Sequence, residues 1–275
     1  DYVGKPTTSA GSIEGAFKVL EDELIPKVIG LGQRVKRRST QPNTDKPNAP
    51  LAVSKPQSQF IAKAGPELGT RVTLTQATTP APAKAVVIGI STGGPMALMQ
   101  LFSQFTAPLP VPVFVVQHMP PTFTTLLSAR LTAAGVMTVK EPADGDVAEA
   151  GTVYMAPGGY HMKLQREGRQ VVMRLTTEQP ENSCRPAADV LFRSAAEIYT
   201  SELLAVVMTG MGQDGMKGCQ VVKHMRGQVV AQDEASSVIW GMPQSVVRHG
   251  LADKVIALDE IANEIIFRTR ALAIK

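Results

Sequence analysis

Three polar residues stand just past apolar runs. Ser91 follows AVVIGI (85–90) in VVIGISTGGP, His118 follows VPVFVVQ (111–117) in QHMPP, and Asp214 lies in TGMGQDG after LLAVVMT (203–209). A hydroxyl, an imidazole and a carboxylate are the parts of a nucleophile, a base and an orienting acid. GISTG (89–93) matches the G-x-S-x-G pattern of a nucleophile elbow, for which chance alone gives about 0.1 matches in a chain of this composition. The order Ser, His, Asp differs from the Ser, acid, His order of ordinary α/β-hydrolases, which argues against that fold but not against the chemistry. Glycines at 210, 212 and 215 let backbone N–H groups approach a ligand, as an oxyanion site requires.

Each residue also has a plainer use. Ser91 could cap a helix beginning near 95, and Asp214 one beginning near 215. A phosphate-binding turn fits less well: the dinucleotide fingerprint needs Gly where Ser91 stands, and the P-loop Lys is absent. His161, in APGGYHM, is the rival base, at the start of a strand where it could as easily face solvent. His224 and His249 suit helix ends. Asp144, Asp189 and Asp233 are the rival acids.

The elements that must position these residues alternate. Strands are expected at 85–90, 111–117, 203–209, 228–232 and 255–258. Helices are expected at 95–105, 121–134, 186–199, 215–225, near 243–249, and at 259–272. TVYMA (152–156), HMKLQ (161–165) and QVVMRL (170–175) read as short strands in antiparallel hairpins. The pattern predicts an α/β fold: a doubly wound, mainly parallel sheet with helices on both faces and a small antiparallel region. Ligands bind beyond the carboxyl ends of such strands, where Ser91, His118 and Asp214 fall if their strands are neighbours.

Three segments follow. Residues 12–38 carry helical spacing (Ile13, Phe17, Leu20, Leu24, Val28, Leu31) and read as the last element of a preceding domain. Residues 40–84 hold seven prolines amid Thr, Gln, Ser and Asn, a linker composition. Residues 85–275 form the main domain. The net charge is +4, and its excess lies in residues 1–80, so the main domain is neutral. RVKRR (34–38) lacks neighbouring aromatics and reads as a solvated helix end, so no nucleic-acid partner is expected. No apolar run is long enough to insert in a membrane. The opening DYVGKP lacks a signal peptide's features and an initiator Met, as expected of a fragment. Cys184 and Cys219 have neither CxxC nor ligand spacing and read as reduced thiols, with no metal and no cofactor expected.

GISTGGP, QHMPPTFT, APGGYHM, RPAADVLF, TGMGQDG and QDEASSVIWGMP occur in that order over about 85–272. Together they resemble the catalytic domain of the chemotaxis protein-glutamate methylesterases, the CheB family. The opening, with Lys5 at the place of the receiver lysine, resembles the end of a response-regulator receiver domain. The resemblance implies hydrolysis of γ-methyl glutamyl esters on chemoreceptor cytoplasmic helices, with release of methanol, and deamidation of particular glutamines. It assigns Ser91 as nucleophile, His118 as base and Asp214 as its partner, with Thr92 and the Met211 N–H at the oxyanion site. It further implies a cytoplasmic enzyme, phosphorylated by the pathway's histidine kinase through a complete receiver domain. The receiver's phosphate-accepting Asp is not in this chain, so the fragment is expected to be relieved of the block that an unphosphorylated receiver imposes. The family's N-x-H-R-P-S reads NSCRPA (182–187) here. Cys184 is then a small filler beside the site, and Arg185 a substrate-edge contact.

Overall fold

The computed structural model describes residues 81–270. The receiver remnant expected over 1–39, the linker up to residue 80 and the last two residues of the closing helix lie outside the described residues. Nine strands alternate with six α-helices in the described region. In chain order they are β1 (Ala85–Ile90), α1 (Gly94–Ser103), β2 (Val113–Gln117), α2 (Phe123–Ala134), β3 (Thr138–Lys140) and β4 (Thr152–Met155). Then come β5 (His161–Glu167), β6 (Gln170–Thr176), α3 (Ala188–Tyr199), β7 (Leu203–Val207), α4 (Met216–His224) and β8 (Gln228–Gln232). The last three are α5 (Met242–Arg248), β9 (Lys254–Ile256) and α6 (Leu258–Arg270).

Seven strands form one sheet in the order β3-β4-β2-β1-β7-β8-β9, and every adjacent pair is parallel. Strand alternation sends one set of β1 side chains to each face. Val86, Ile88 and Ile90 pack with Leu98 and Leu101 of α1, Leu131 of α2 and Ile261 of α6. Ala85 and Val87 pack with Leu191 and Phe192 of α3, Val222 of α4, Val246 of α5 and Met162 of the hairpin. Burial on both faces explains why the central strands read as unbroken apolar runs. Each such Val, Leu, Ile or Phe contributes about 1.5–3 kcal/mol by leaving water, so the strand ends that carry the site are anchored firmly.

Two expectations are corrected. TVYM is not a hairpin strand: β4 lies in the main sheet, parallel to both β2 and β3. Its apparent alternation comes from Thr152 and from Tyr154, which is fully buried and turns its hydroxyl inward to the Val147 carbonyl and the Glu149 N–H. Edge strand β3 was not anticipated, because Val139 is its single buried residue. The antiparallel sheet is the β5–β6 hairpin, which Val147 extends by an antiparallel bridge to Val172.

Candidate active site

β2, β1 and β7 are consecutive in the sheet, so the three candidate residues share one edge. Ile90 pairs with Gln117, and the next residues, Ser91 and His118, therefore leave adjacent strands side by side. The His118 N–H bonds the Ile90 carbonyl at 3.2 Å, and the Ser91 N–H bonds the Thr209 carbonyl at 2.9 Å. Gln117, buried at the last position of β2, donates Nε2 to the carbonyls of Ser91 (3.0 Å) and His118 (3.3 Å). One amide thus ties both loops together. A polar residue closing the run VFVVQ is the sequence signal that could have revealed it.

Ser91 does not cap α1. Gly93 is the N-cap, at φ 81°, with no side-chain capping bond. A side chain at Gly93 would also collide with Val238. Gly210 faces Ser91 so closely that a Cβ there would lie 2.7 Å from the Ser91 Cβ. The glycines thus seat the serine between two backbones, and among the described residues no group hydrogen-bonds its hydroxyl.

Asp214 holds the imidazole. His118 Nε2 lies 2.7 Å from Asp214 Oδ2, with 11% and 2% of the two side chains exposed. The same carboxylate accepts the N–H groups of Ala188 (2.6 Å), Asp189 (3.0 Å) and Gly215 (2.9 Å), and Asn182 Nδ2 at 2.9 Å. Burial pushes its carboxyl up, but the hydrogen bonds from His118 and the α3 N–H groups outweigh that and hold it below the usual aspartate range. The N-cap of α3 is Ala187, which has no capping side chain. Asp214 supplies the acceptor instead, at the positive end of the helix dipole. An ionised Asp214 makes His118 Nε2 the donor, which leaves Nδ1 with its lone pair as the basic atom. Cys184 Sγ lies 3.6 Å from that Nδ1.

The remaining candidates fall around this centre. The backbone N–H groups of Thr92 and Met211 have no acceptor among the described residues; both residues are exposed, Met211 to 71%. Arg185 shares a cleft of about 360 Å³ with His118, Met119, Pro121 and Cys184, while its Nη1 donates to the carbonyls of Thr177 and Glu178. The rivals lie elsewhere. His161 is fully buried, bonded through Nε2 to the Gln179 carbonyl rather than facing solvent. Asp144 pairs with Arg174, and Asp233 bonds Ser236. His249 bonds the Ser245 carbonyl within its own helix. Asp189 is the exception: it is buried beside Asp214 and linked to it through Asn182. A serine hydroxyl, an imidazole whose Nδ1 meets only a weak thiol donor, a fixed carboxylate and unpaired N–H donors together suit acyl transfer.

Known proteins carry the same arrangement of sequence. The family model for CheB methylesterase matches residues 86–265. A protein-glutamate methylesterase/protein-glutamine glutaminase of Trichodesmium erythraeum (strain IMS101) is 45% identical, over 98% of this chain and 70% of that protein. A protein of the same name from Rhodopseudomonas palustris (strain HaA2) is 38% identical, over 97% of this chain and 68% of that one. The crystal structure of the Thermotoga maritima CheB methylesterase catalytic domain superposes with a TM-score of 0.66 at 43% identity, covering 67% of this chain and 98% of that one. Fold, ordered motifs and extent of identity agree: the chain belongs to the CheB methylesterase family.

Proposed function

We propose that Ser91 attacks the substrate carbonyl, that His118 is its general base and that Asp214 fixes the imidazole. The observation that carries this is the His118–Asp214 pair at 2.7 Å, formed where the strands on either side of β1 end, beside Ser91. The chain is a protein-glutamate methylesterase with protein-glutamine glutaminase activity, a hydrolase of chemotaxis acting on receptor glutamates; relatives of that name match nearly all of it.

In the forward step His118 Nδ1 takes the Ser91 Oγ–H proton as Oγ bonds to the γ-carbonyl carbon of the methylated side chain. The carbonyl oxygen becomes an oxyanion between the N–H groups of Thr92 and Met211. Collapse breaks the C–OCH₃ bond, and the leaving oxygen takes the proton from His118 to depart as methanol. Water, deprotonated by the same base, then cleaves the acyl-serine and frees the glutamate. With a glutamine side chain the leaving group is ammonia. Asp214 stabilises the imidazolium in each half without taking its proton.

The exposed side chains of Met96 and Val238 line a cleft with Gly93 of the serine loop, and exposed Met211 follows Gly210, which faces Ser91. They suit a substrate that is itself a protein helix, presenting apolar side chains around the ester. Arg185 would touch the substrate's edge from the cleft. Residues 1–39 read as the end of a receiver domain, 40–84 as its linker and 85–275 as the catalytic domain. Control by a histidine kinase would act through a complete receiver, in the cytoplasm. No helix among the described residues is long and apolar enough to cross a membrane.

The test is methanol release from a methylated chemoreceptor cytoplasmic fragment by this chain and by its Ser91→Ala variant, both checked for folding. Release by the first, reduced roughly a million-fold in the second, is expected. Equal release from both would remove Ser91 from the chemistry.

A further inference from the structure

The stretch NSC (182–184) departs from helix and strand geometry in a specific way. Asn182 and Ser183 both have left-handed backbones, at φ 52° and 61°. Asn tolerates that region better than most residues. The flanking residues close the turn: the N–H of Glu181 bonds the Cys184 carbonyl at 3.1 Å, and the reverse bond is 2.9 Å. Arg193 of α3 grips both oxygens of Glu181, at 2.8 and 2.5 Å. This pinned turn aims Cys184 at His118 and Asn182 at the acids behind it.

Asn182 Nδ2 has two hydrogens, and both are used. One goes to Asp214 Oδ1 and the other to Asp189 Oδ2, each at 2.9 Å. Asp189 is itself fully buried, and its Oδ1 accepts the Gly218 N–H of α4 at 2.6 Å. Two neighbouring buried carboxylates repel and are costly to desolvate. Burial accordingly raises the Asp189 carboxyl, against the Gly218 hydrogen bond. The charged and titratable groups around the pair are His118, Glu181 and Arg193, with the thiols of Cys184 and Cys219. The one side chain that donates to both acids is Asn182. A packing role would not need a second buried acid, whereas fixing the plane of the carboxamide does.

We infer that Asn182, oriented by Asp189, is a positioning residue that fixes the Asp214 carboxylate and through it the His118 imidazole. The inference rests on the reading of His118 and Asp214 as base and orienting acid. Without the Asn182 amide, Asp214 keeps its three backbone donors, the Asp189 N–H among them, but no side-chain donor stands between the two carboxylates. Repulsion between the two carboxylates then turns the Asp214 plane against those donors, and the imidazole on Oδ2 tilts away from Ser91.

The test compares kcat and KM for methanol release from the methylated receptor fragment in four versions of this 275-residue chain: wild type, Asn182→Ala, Asp214→Ala and the double variant. Asn182→Ala should lower kcat on the order of 100-fold, the cost of a misplaced catalytic group, with KM changed less than about three-fold. In the Asp214→Ala background the same substitution should change kcat less than about two-fold, because the group it acts through is gone. An equal loss in both backgrounds overturns the inference. Asn182→Asp keeps the size and the tolerance for the turn but loses both donors, so recovery of activity in that variant also overturns it. The proton resonance of the His118 Nε2–H bonded to Asp214 reads the geometry without turnover. It should shift or broaden in Asn182→Ala, and an unchanged resonance sinks the inference even if the wild type releases no methanol. That last failure would fall separately on the esterase reading.

Discussion

Asp214 and Ser91 leave neighbouring strands at the same sheet edge, yet their surroundings are opposite. The Asp214 carboxylate accepts five hydrogen bonds, one from His118, one from Asn182 and three from backbone N–H groups. The Ser91 hydroxyl has none among the described residues, and the donors beside it, at Thr92 and Met211, have no acceptors. On the proposed reading, the acid–base half is therefore completed by the protein itself, in a buried setting where each bond is strengthened by the low dielectric. The nucleophile half is left for the substrate to complete. Such a division suits differential binding: groups that meet their partner only as the oxyanion forms lower the barrier without first stabilising the resting state.

The largest effect expected within this contrast comes from damage to the completed half. Asp214→Asn preserves shape but turns one acceptor into a donor, against a site where both oxygens accept. Loss of the correct His118 tautomer should lower kcat about 10⁴-fold, measured as methanol release at saturating substrate. The same variant tests the electrostatics. Asp214 is held below the ordinary aspartate value because its hydrogen bonds outweigh its burial. Its ionised form therefore stabilises the fold above about pH 3.9, and that contribution is lost as pH falls through the depressed folded value. The melting-temperature gap between wild type and Asp214→Asn should narrow as pH drops below about 4. A gap that stays constant there contradicts the assignment. Asp189, whose carboxyl is raised by burial and in part by the Asp214 charge, works in the other direction.

The open half is expected to respond to loss of an N–H rather than of a side chain. Met211 projects into solvent, so Met211→Ala should leave kcat within about three-fold. Met211→Pro removes the N–H, and Gly210 before it tolerates the restriction a proline imposes. The loss of one oxyanion donor should lower kcat about 10²–10³-fold. Equal rates for the two variants would show that this N–H meets no developing charge.

Much of this contrast could be read from residue order, but unevenly. That Ser91, His118 and Asp214 share one sheet edge was legible because a parallel sheet gathers at that edge the residues where apolar runs stop, and all three follow such runs. The sheet's centre was legible for the same reason, since AVVIGI and LLAVVMT have no polar face to show. What was not legible depends on distant pairing. Asn182 lies in an irregular turn whose direction is set by Glu181 and Arg193, and no local pattern announces that. Asp189 looked like a helical residue, as it is, but its fully buried carboxyl is a property of α3 packing on α4. TVYM misled because the Tyr154 hydroxyl finds partners inside the protein, so a residue that seemed able to face water does not.

Cys184 sits on the boundary between the two halves and gives the finest test of the contrast. Its sulfur is 3.6 Å from His118 Nδ1, the atom that accepts the Ser91 proton in the proposed reaction. Sulfur makes weak hydrogen bonds, and burial pushes this thiol up, with the Asp214 charge adding to the effect. The neutral thiol is thus a poor nucleophile and a weak competitor for Nδ1. If the open half belongs to Ser91 alone, Cys184→Ala should change kcat by less than about ten-fold, in either direction. In the Ser91→Ala background it should change the residual rate no further. A large loss in Cys184→Ala, with Ser91 intact, would mean that the thiol and not the hydroxyl is the group His118 activates. The absence of any bond to the Ser91 hydroxyl would then describe a bystander rather than a nucleophile waiting for its substrate.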